Sequence, residues 1–343
     1  MRQKILVVSS RKHLVIPATA CLIEFEQVLV SAFNADLLAV YEAGDFSERQ
    51  YDAIIFIAMS YSQLSEMMLA VEKKVSFKVA IAYVFDAFTP KKINVLPMMS
   101  HKFIPKLRVL RRFDVIYSPM KLLIASQSKT LQANITYLPI GVDALKHGAH
   151  EEVEQRFISV NGYGRQPPSI SQYFADQCNT LGKDIYYHTD HMKIAGLHDY
   201  VRHRQLFWKL LRSSKIALAY APEYYDPAGR FECSFVGQRW YEAMAAGCVV
   251  VGRSPSAKET NEIFSWKNAL IDIAEDPSKA WEDVQNLLND EELLLEVSRL
   301  NFLNTLKQHD WRIRVKLIAE TFSLKLSDSF NAEYDSILEA CLV

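Results

Sequence analysis

The chain has 343 residues, 39 Lys+Arg against 40 Asp+Glu, and a formal net charge of −1. At roughly 150 residues per domain this length implies about two domains. Half of the residues are apolar and 23% are charged, so the chain can bury two ordinary cores and need not be disordered, and the near-neutral balance argues against a dedicated nucleic-acid binder. No apolar run is long enough to span a bilayer. The start, Lys4-Ile5-Leu6-Val7-Val8, lacks a signal peptide's layout. Five cysteines, Cys21, Cys178, Cys233, Cys248 and Cys341, are scattered without a C-x-x-C pair. That suits a reducing compartment, hence a cytoplasmic location, rather than a disulfide framework or zinc site.

In chain order, short β-rich runs alternate with helix-length segments. Strands are expected at 4–9, 36–41, 52–59, 77–86, 114–118 and 135–139, with helices such as 18–32 and 62–74 between them. Several strands are continuous apolar runs, as strands covered on both faces should be. Strand–helix alternation predicts a parallel, doubly wound sheet. Residues 143–155 are polar and read as a linker, after which the pattern restarts. Strands follow at 156–161, 184–188, 215–220, 248–252 and 269–273, and helices at 170–181, 199–213, 235–246, 278–289 and 291–307. Gly247 stands where a helix would stop. The expected organisation is a Rossmann-like domain over 1–142, the linker, a second Rossmann-like domain over 156–320 and a helical tail over 321–343.

Glycine is scarce and unevenly placed. There are 11, about 3% against a usual 7% or so. Gly44 alone precedes Gly141, and the other ten lie between Gly141 and Gly252. Glycine serves where backbone turns sharply or approaches a ligand, so ligand-binding loops are expected in the second half. Charge is uneven too. Residues 1–150 hold 18 Lys+Arg and 12 Asp+Glu, and the remainder 21 and 28. The basic stretch 91–112 interleaves cations with apolar residues. It suits an anionic membrane surface or an anionic acceptor, and equally a solvated charged face.

In open α/β sheets ligands bind beyond the carboxyl ends of the strands, so the segments after each strand carry the argument. Asn161-Gly162-Tyr163-Gly164-Arg165 follows the first strand of the second domain. Its two glycines let backbone amides approach an anion, and Arg165 adds a charge-assisted phosphate contact; an ordinary strand–helix turn reads the same way. It is not a dinucleotide fingerprint, since the third glycine is missing. The stronger segment is Gly237-Gln238-Arg239-Trp240-Tyr241-Glu242-Ala243-Met244-Ala245-Ala246-Gly247. Arg239 and Glu242 share a helix face near a positive N-terminus. An Arg there can hold a diphosphate and a Glu one turn on can accept from ribose hydroxyls, although a surface ion pair has the same spacing. In the first half, Asp86 ends the strand Ala82-Tyr83-Val84-Phe85 and offers a general base, or a helix cap. His13, after Ser9-Ser10-Arg11-Lys12, is its rival.

The run Glu242-Ala-Met-Ala-Ala-Gly-Cys-Val-Val-Val251, with Lys258-Glu259-Thr260 beyond it, resembles the nucleotide-sugar half of the GT-B glycosyltransferases. Leu138-Pro139-Ile140-Gly141-Val142-Asp143 is similar to their interdomain junction, and His309-Asp310-Trp311 to the start of their terminal helices. The resemblance implies two tandem Rossmann-like domains with parallel sheets facing a central cleft, and a C-terminal helix crossing back to the first domain, which would bind the acceptor. The group-1 enzymes usually carry E-x7-E, whereas the residue eight before Glu242 is Ser234. The R-x-x-E form is closer to the CgeB-like branch and to the phage DNA β-glucosyltransferase. By this resemblance Gly162, Gly164, Arg165, Tyr220, Arg239 and Glu242 bind the donor. Asp86, or His13, is the catalytic base, and Arg11 and Lys12 lie on the acceptor side. No D-x-D occurs, so no metal or other cofactor is obligatory.

The expectation is therefore a glycosyltransferase, inverting rather than retaining, which moves a sugar from a UDP- or GDP-linked donor to an acceptor hydroxyl. Its acceptor would be a surface polysaccharide or lipid-linked glycan at the inner face of the membrane, with nucleic acid disfavoured. The rivals are a nucleotide-sugar 2-epimerase of the same fold, a Rossmann oxidoreductase and a two-domain sugar-binding protein.

Overall fold

The computed structural model describes residues 3–9, 21–39, 49–88, 107–149, 155–182, 184–188, 200–225 and 233–340. They form two compact units. The first holds Leu22–Ile140 with the opening strand and regains the chain at Arg314–Ala332; the second holds Gly141–Ile313 and the residues from Glu333 on.

The first unit contains β1 (Ile5–Ser9), α1 (Cys21–Phe33), β2 (Asp36–Ala39), β3 (Arg49–Ala58), α2 (Tyr61–Val71), β4 (Val75–Val84), β5 (Val115–Ser118), α3 (Ile124–Leu131) and β6 (Ile135–Tyr137). The strands lie in the order β2-β1-β3-β4-β5-β6. All pairings are parallel, with Leu6 opposite Ile54 and Ile54 opposite Ala80. Every residue of β1 is buried, because helices cover both faces of such a sheet. Leu6, Val8, Ile54, Phe56, Leu64, Met67 and Ile116 form one contiguous core. Strand β4 ends at Val84 rather than at the expected 86. Phe85 and Asp86 turn away while their N–H groups donate to the carbonyls of Ala58 (3.0 Å) and Met59 (2.9 Å). The C-terminal return is pinned by Ser327, whose N–H donates to the Ala32 carbonyl (2.7 Å) and whose hydroxyl donates to that of Ser31 (2.9 Å).

The second unit contains α4 (Ala144–His147), β7 (Ile158–Asn161), α5 (Pro168–Leu181), β8 (Tyr186–Tyr187), α6 (Tyr200–Arg212), β9 (Ser214–Tyr220), α7 (Pro222–Tyr225), α8 (Gln238–Ala245), β10 (Val249–Arg253), α9 (Thr260–Ile263), β11 (Ile271–Asp272), α10 (Pro277–Leu288) and α11 (Glu291–His309). Two last helices follow, α12 (Trp311–Phe322) and α13 (Asp328–Ala340). The sheet order is β11-β10-β9-β7-β8, again parallel throughout. Its core joins Val160, Phe174, Ile216, Leu218, Val249, Val251, Trp281 and Val297. Gly247 ends α8 as expected, its N–H donating to the Met244 carbonyl (2.9 Å).

The described part of the expected linker, residues 143–149, is ordered by its neighbours. Residues 144–147 are helical, and Asp143 is 1% exposed. Its carboxylate accepts from Arg312 Nη1 at 2.9 Å, the same nitrogen that donates to Asp310 at 3.0 Å, and Arg312 Nε donates to Glu333 at 2.7 Å. Burial lowers the affinity of Arg312 for its proton, and the Asp310 and Asp143 carboxylates more than restore it. The segment looked solvated because its buried partner lies 169 residues further on. Charge alone does not show that the charge is paired.

Candidate functional site

Because the strands are parallel, the loops after β7, β9 and β10 leave the second sheet at one carboxyl edge. The strand order reverses between β7 and β9, and in open α/β sheets such a switch point is where ligands sit. The segments there are Gly162–Gln166, Ala221–Tyr225 and the start of α8.

Arg239 stands in the first turn of α8 and reaches back to both neighbouring strands. Its Nη1 donates to the Arg165 carbonyl and its Nη2 to the Tyr220 carbonyl (3.5 Å). The guanidinium lies 5.2 Å from the centre of the Tyr225 ring, and that of Arg165 lies 5.0 Å from the same ring. The Tyr163 hydroxyl donates to the Arg239 carbonyl at 2.7 Å, which holds the helix against the β7 loop. Gly164 sits at φ +74°, where a side chain would be strained, with Arg239 Cδ against it. Burial pulls the Arg239 pKa below its ordinary value, while Tyr225 and Tyr163 oppose the shift. Among the described residues no carboxylate pairs with Arg239. Two guanidiniums held over one aromatic ring, beside a helix N-terminus, concentrate positive charge, an arrangement chemically able to take an anion.

Glu242 is buried one turn further along α8. Its Oε1 accepts from Arg204 Nη2 at 2.5 Å, and the two side chains are 6% and 11% exposed. The Arg204 guanidinium stacks 4.5 Å from the Phe207 ring centre and 5.0 Å from that of Trp208. Sequence reasoning did not single out Arg204, Phe207 or Trp208. Their i, i+3, i+4 spacing, a cation above two aromatics on one helix face, is the signal that was there to be used. Tyr225 was missed as well, and no spacing pointed to it.

Gly162, Gly164, Arg165, Tyr220, Arg239 and Glu242 thus come together in the second unit. At the neighbouring end of β10, Gly252 has φ +147°, and a Cβ there would strike the Ala219 carbonyl oxygen. Only glycine lets these two strands approach so closely. A cavity of about 320 Å³ lined by His147, Gln205, Trp208, Lys209 and Arg212 lies elsewhere. It flanks the C-terminal end of α6, which leads into the first residue of β9 at the amino edge of the sheet.

In the first unit the switch point falls between β1 and β3. Asp86 is exposed one strand away, just past the carboxyl end of β4, with its N–H tied to the Met59 carbonyl. Its place at a carboxyl edge suits a base that meets substrate. Arg11, Lys12 and His13 lie outside the described residues, as does the 91–106 part of the basic stretch. The rest forms a 3₁₀ turn, Arg108–Arg112, with Val109 and Leu110 buried, the arginines exposed and Arg112 paired with Glu72. Among the described residues no helix is long and apolar enough to cross a membrane.

The comparisons with known proteins bear on the fold. Residues 174–320 match the family model described as "Glycosyl transferase-like". Over nearly its whole length the chain shares the fold of Anabaena HepE. The HepE complex with UDP-glucose gives a TM-score of 0.56 at 14% identity and covers 94% of this chain and 99% of that one. The HepE complex with UDP gives 0.55 at 11% identity, covering 93% and 99%. No curated protein matches the chain in sequence. The chain has the GT-B fold, and its residues 174–320 are similar to the glycosyl transferase-like family. These matches support the GT-B part of the resemblance, and not its CgeB-like or phage branch.

Proposed function

We propose that the protein transfers a sugar from a UDP-linked donor to an acceptor hydroxyl of a glycan or lipid-linked saccharide. The observation that carries this reading is the Arg165–Arg239 pair over Tyr225, one helical turn from Glu242 at the switch point of the second sheet. The arginines hold the diphosphate and take up the charge that develops as it leaves. Glu242 accepts from the ribose hydroxyls. Asp86 takes the proton of the acceptor hydroxyl as its oxygen bonds to the anomeric carbon and the bond to UDP breaks, which inverts the configuration. UDP rather than GDP is chosen because the HepE structures of this fold were solved with UDP and UDP-glucose.

Calorimetric titration with UDP, GDP, ADP and CMP tests the reading. UDP should bind most tightly, and binding of none of the four would overturn it. Incubation with UDP-glucose and a glycan acceptor then separates transfer from epimerisation, which would turn over the donor alone.

A further inference from the structure

The carboxylate of Glu223 is anchored in a way that the reading above does not use. It lies on α7, directly beyond the carboxyl end of β9 and two residues before Tyr225. Its Oε1 accepts from the Ser234 hydroxyl at 2.7 Å, from the Ser256 hydroxyl at 3.3 Å and from the Ser256 N–H at 3.5 Å. The Ser256 N–H also donates to the Ser234 oxygen at 2.9 Å. Three segments from one sheet edge therefore converge on one oxygen. Among the described residues nothing donates to the other, Oε2, and Glu223 is exposed.

A loop staple needs one acceptor atom, and a glutamine would supply it. A carboxylate adds a charge and a second acceptor whose direction is set once Oε1 is fixed. That second oxygen costs little conformational entropy when it takes a ligand's hydrogen bond. What it can recognise follows from its place. It shares the edge, and the short helix α7, with the ring that carries both guanidiniums. A ligand whose diphosphate is held by Arg165 and Arg239 extends from there with neutral hydroxyls, which donate well to a carboxylate.

We propose that Glu223 is the sugar-recognition residue of the donor site: its Oε2 accepts from hydroxyls of the glycosyl group while Ser234 and Ser256 hold it in place. This rests on the donor reading above and adds to it which group meets the sugar. The role is binding, with no bond made or broken at Glu223.

The test is calorimetry of UDP, UDP-glucose and UDP-N-acetylglucosamine on wild type, Glu223→Gln and Ser234→Ala. The amide oxygen of Glu223→Gln can still accept from both serines, so the staple persists. Its UDP affinity should stay within about twofold, while that of the better-binding UDP-sugar falls about tenfold or more. Ser234→Ala frees the carboxylate and should move the UDP-sugar the same way by a smaller factor. If UDP and UDP-sugar weaken alike in Glu223→Gln, or neither weakens, the proposal is overturned and the donor reading stands. A wild type that binds no UDP overturns the donor reading and this proposal with it.

Discussion

Both sheets are parallel and both expose strand ends, yet the two units handle charge differently. In the first, Lys78 with Asp52, Arg112 with Glu72 and Lys316 with Glu320 pair at the surface, although Glu24 and Glu26 are buried. In the second, Arg204 with Glu242 and Arg312 with Asp143 and Asp310 are almost wholly enclosed. Every described glycine from Gly148 to Gly252 also belongs to the second unit. Buried ion pairs gain little net stability, because desolvation offsets their attraction. What they do is fix the side chains they join, and one of the enclosed pairs of the second unit includes Glu242, the proposed ribose residue. The first unit presents its proposed base, Asp86, at the surface.

If this contrast holds, the largest stability loss comes from Arg312→Met. It leaves Asp143 and Asp310 enclosed without their cation, and should cost about 3–5 kcal/mol in denaturant unfolding. The matched change in the first unit, Lys78→Met, should give no resolvable loss. A loss below about 1 kcal/mol for Arg312→Met would erase the distinction between the units.

Next comes Glu242→Ala, which orphans Arg204. It should cost roughly 3 kcal/mol of stability and also weaken UDP binding, read by calorimetry. Full UDP affinity in a folded variant would show that Glu242 serves the Arg204 pair and not the donor.

Much of this was legible in the sequence, for identifiable reasons. The strands could be read because continuous apolar runs such as Ile54-Ile55-Phe56-Ile57 suit only a sheet covered on both faces. Arg239 and Glu242 could be read because one helix carries both, so their spacing is their geometry. Arg204 could not be tied to Glu242, since 38 residues separate them and only the packing of α6 beside α8 joins them. The pairing of Asp143 was hidden for the same reason, as Arg312 lies 169 residues further along the chain. Glu223 could not be tied to Ser234 either, since 11 residues separate them and only the packing of their segments joins them.

Asp86→Asn has a smaller effect on the fold and sharpens the contrast on the functional side. The residue is exposed, so unfolding should move by no more than about 0.5 kcal/mol. UDP affinity should be unchanged, while transfer falls by about 10²–10⁴-fold. An active variant would remove Asp86 as the base and leave the first unit without an assigned chemical group.

The smallest expected effect lies in the response to acid. The hydrogen bond from Lys78, helped by the Lys4 N–H, holds the Asp52 carboxyl below its ordinary value of 3.8. A folded-state pKa below the unfolded one contributes stability above pH 3.8, and that contribution is lost as pH falls through the folded value. Asp52→Asn should therefore lower stability slightly above about pH 4 and lose that difference as pH falls, so that its acid unfolding is shallower. Asp310 has the opposite sign. Burial raises its pKa against the pull of Arg312, so the folded state keeps its proton longer than the unfolded chain. Its contribution then weakens as pH rises through the window above 3.8. Unfolding free energy followed from about pH 2.5 to 6 should show the Asp52→Asn difference growing from nothing at the acid end to a plateau above about pH 4. A difference that is absent at pH 6 would mean that the surface pair of the first unit contributes nothing to the folded state.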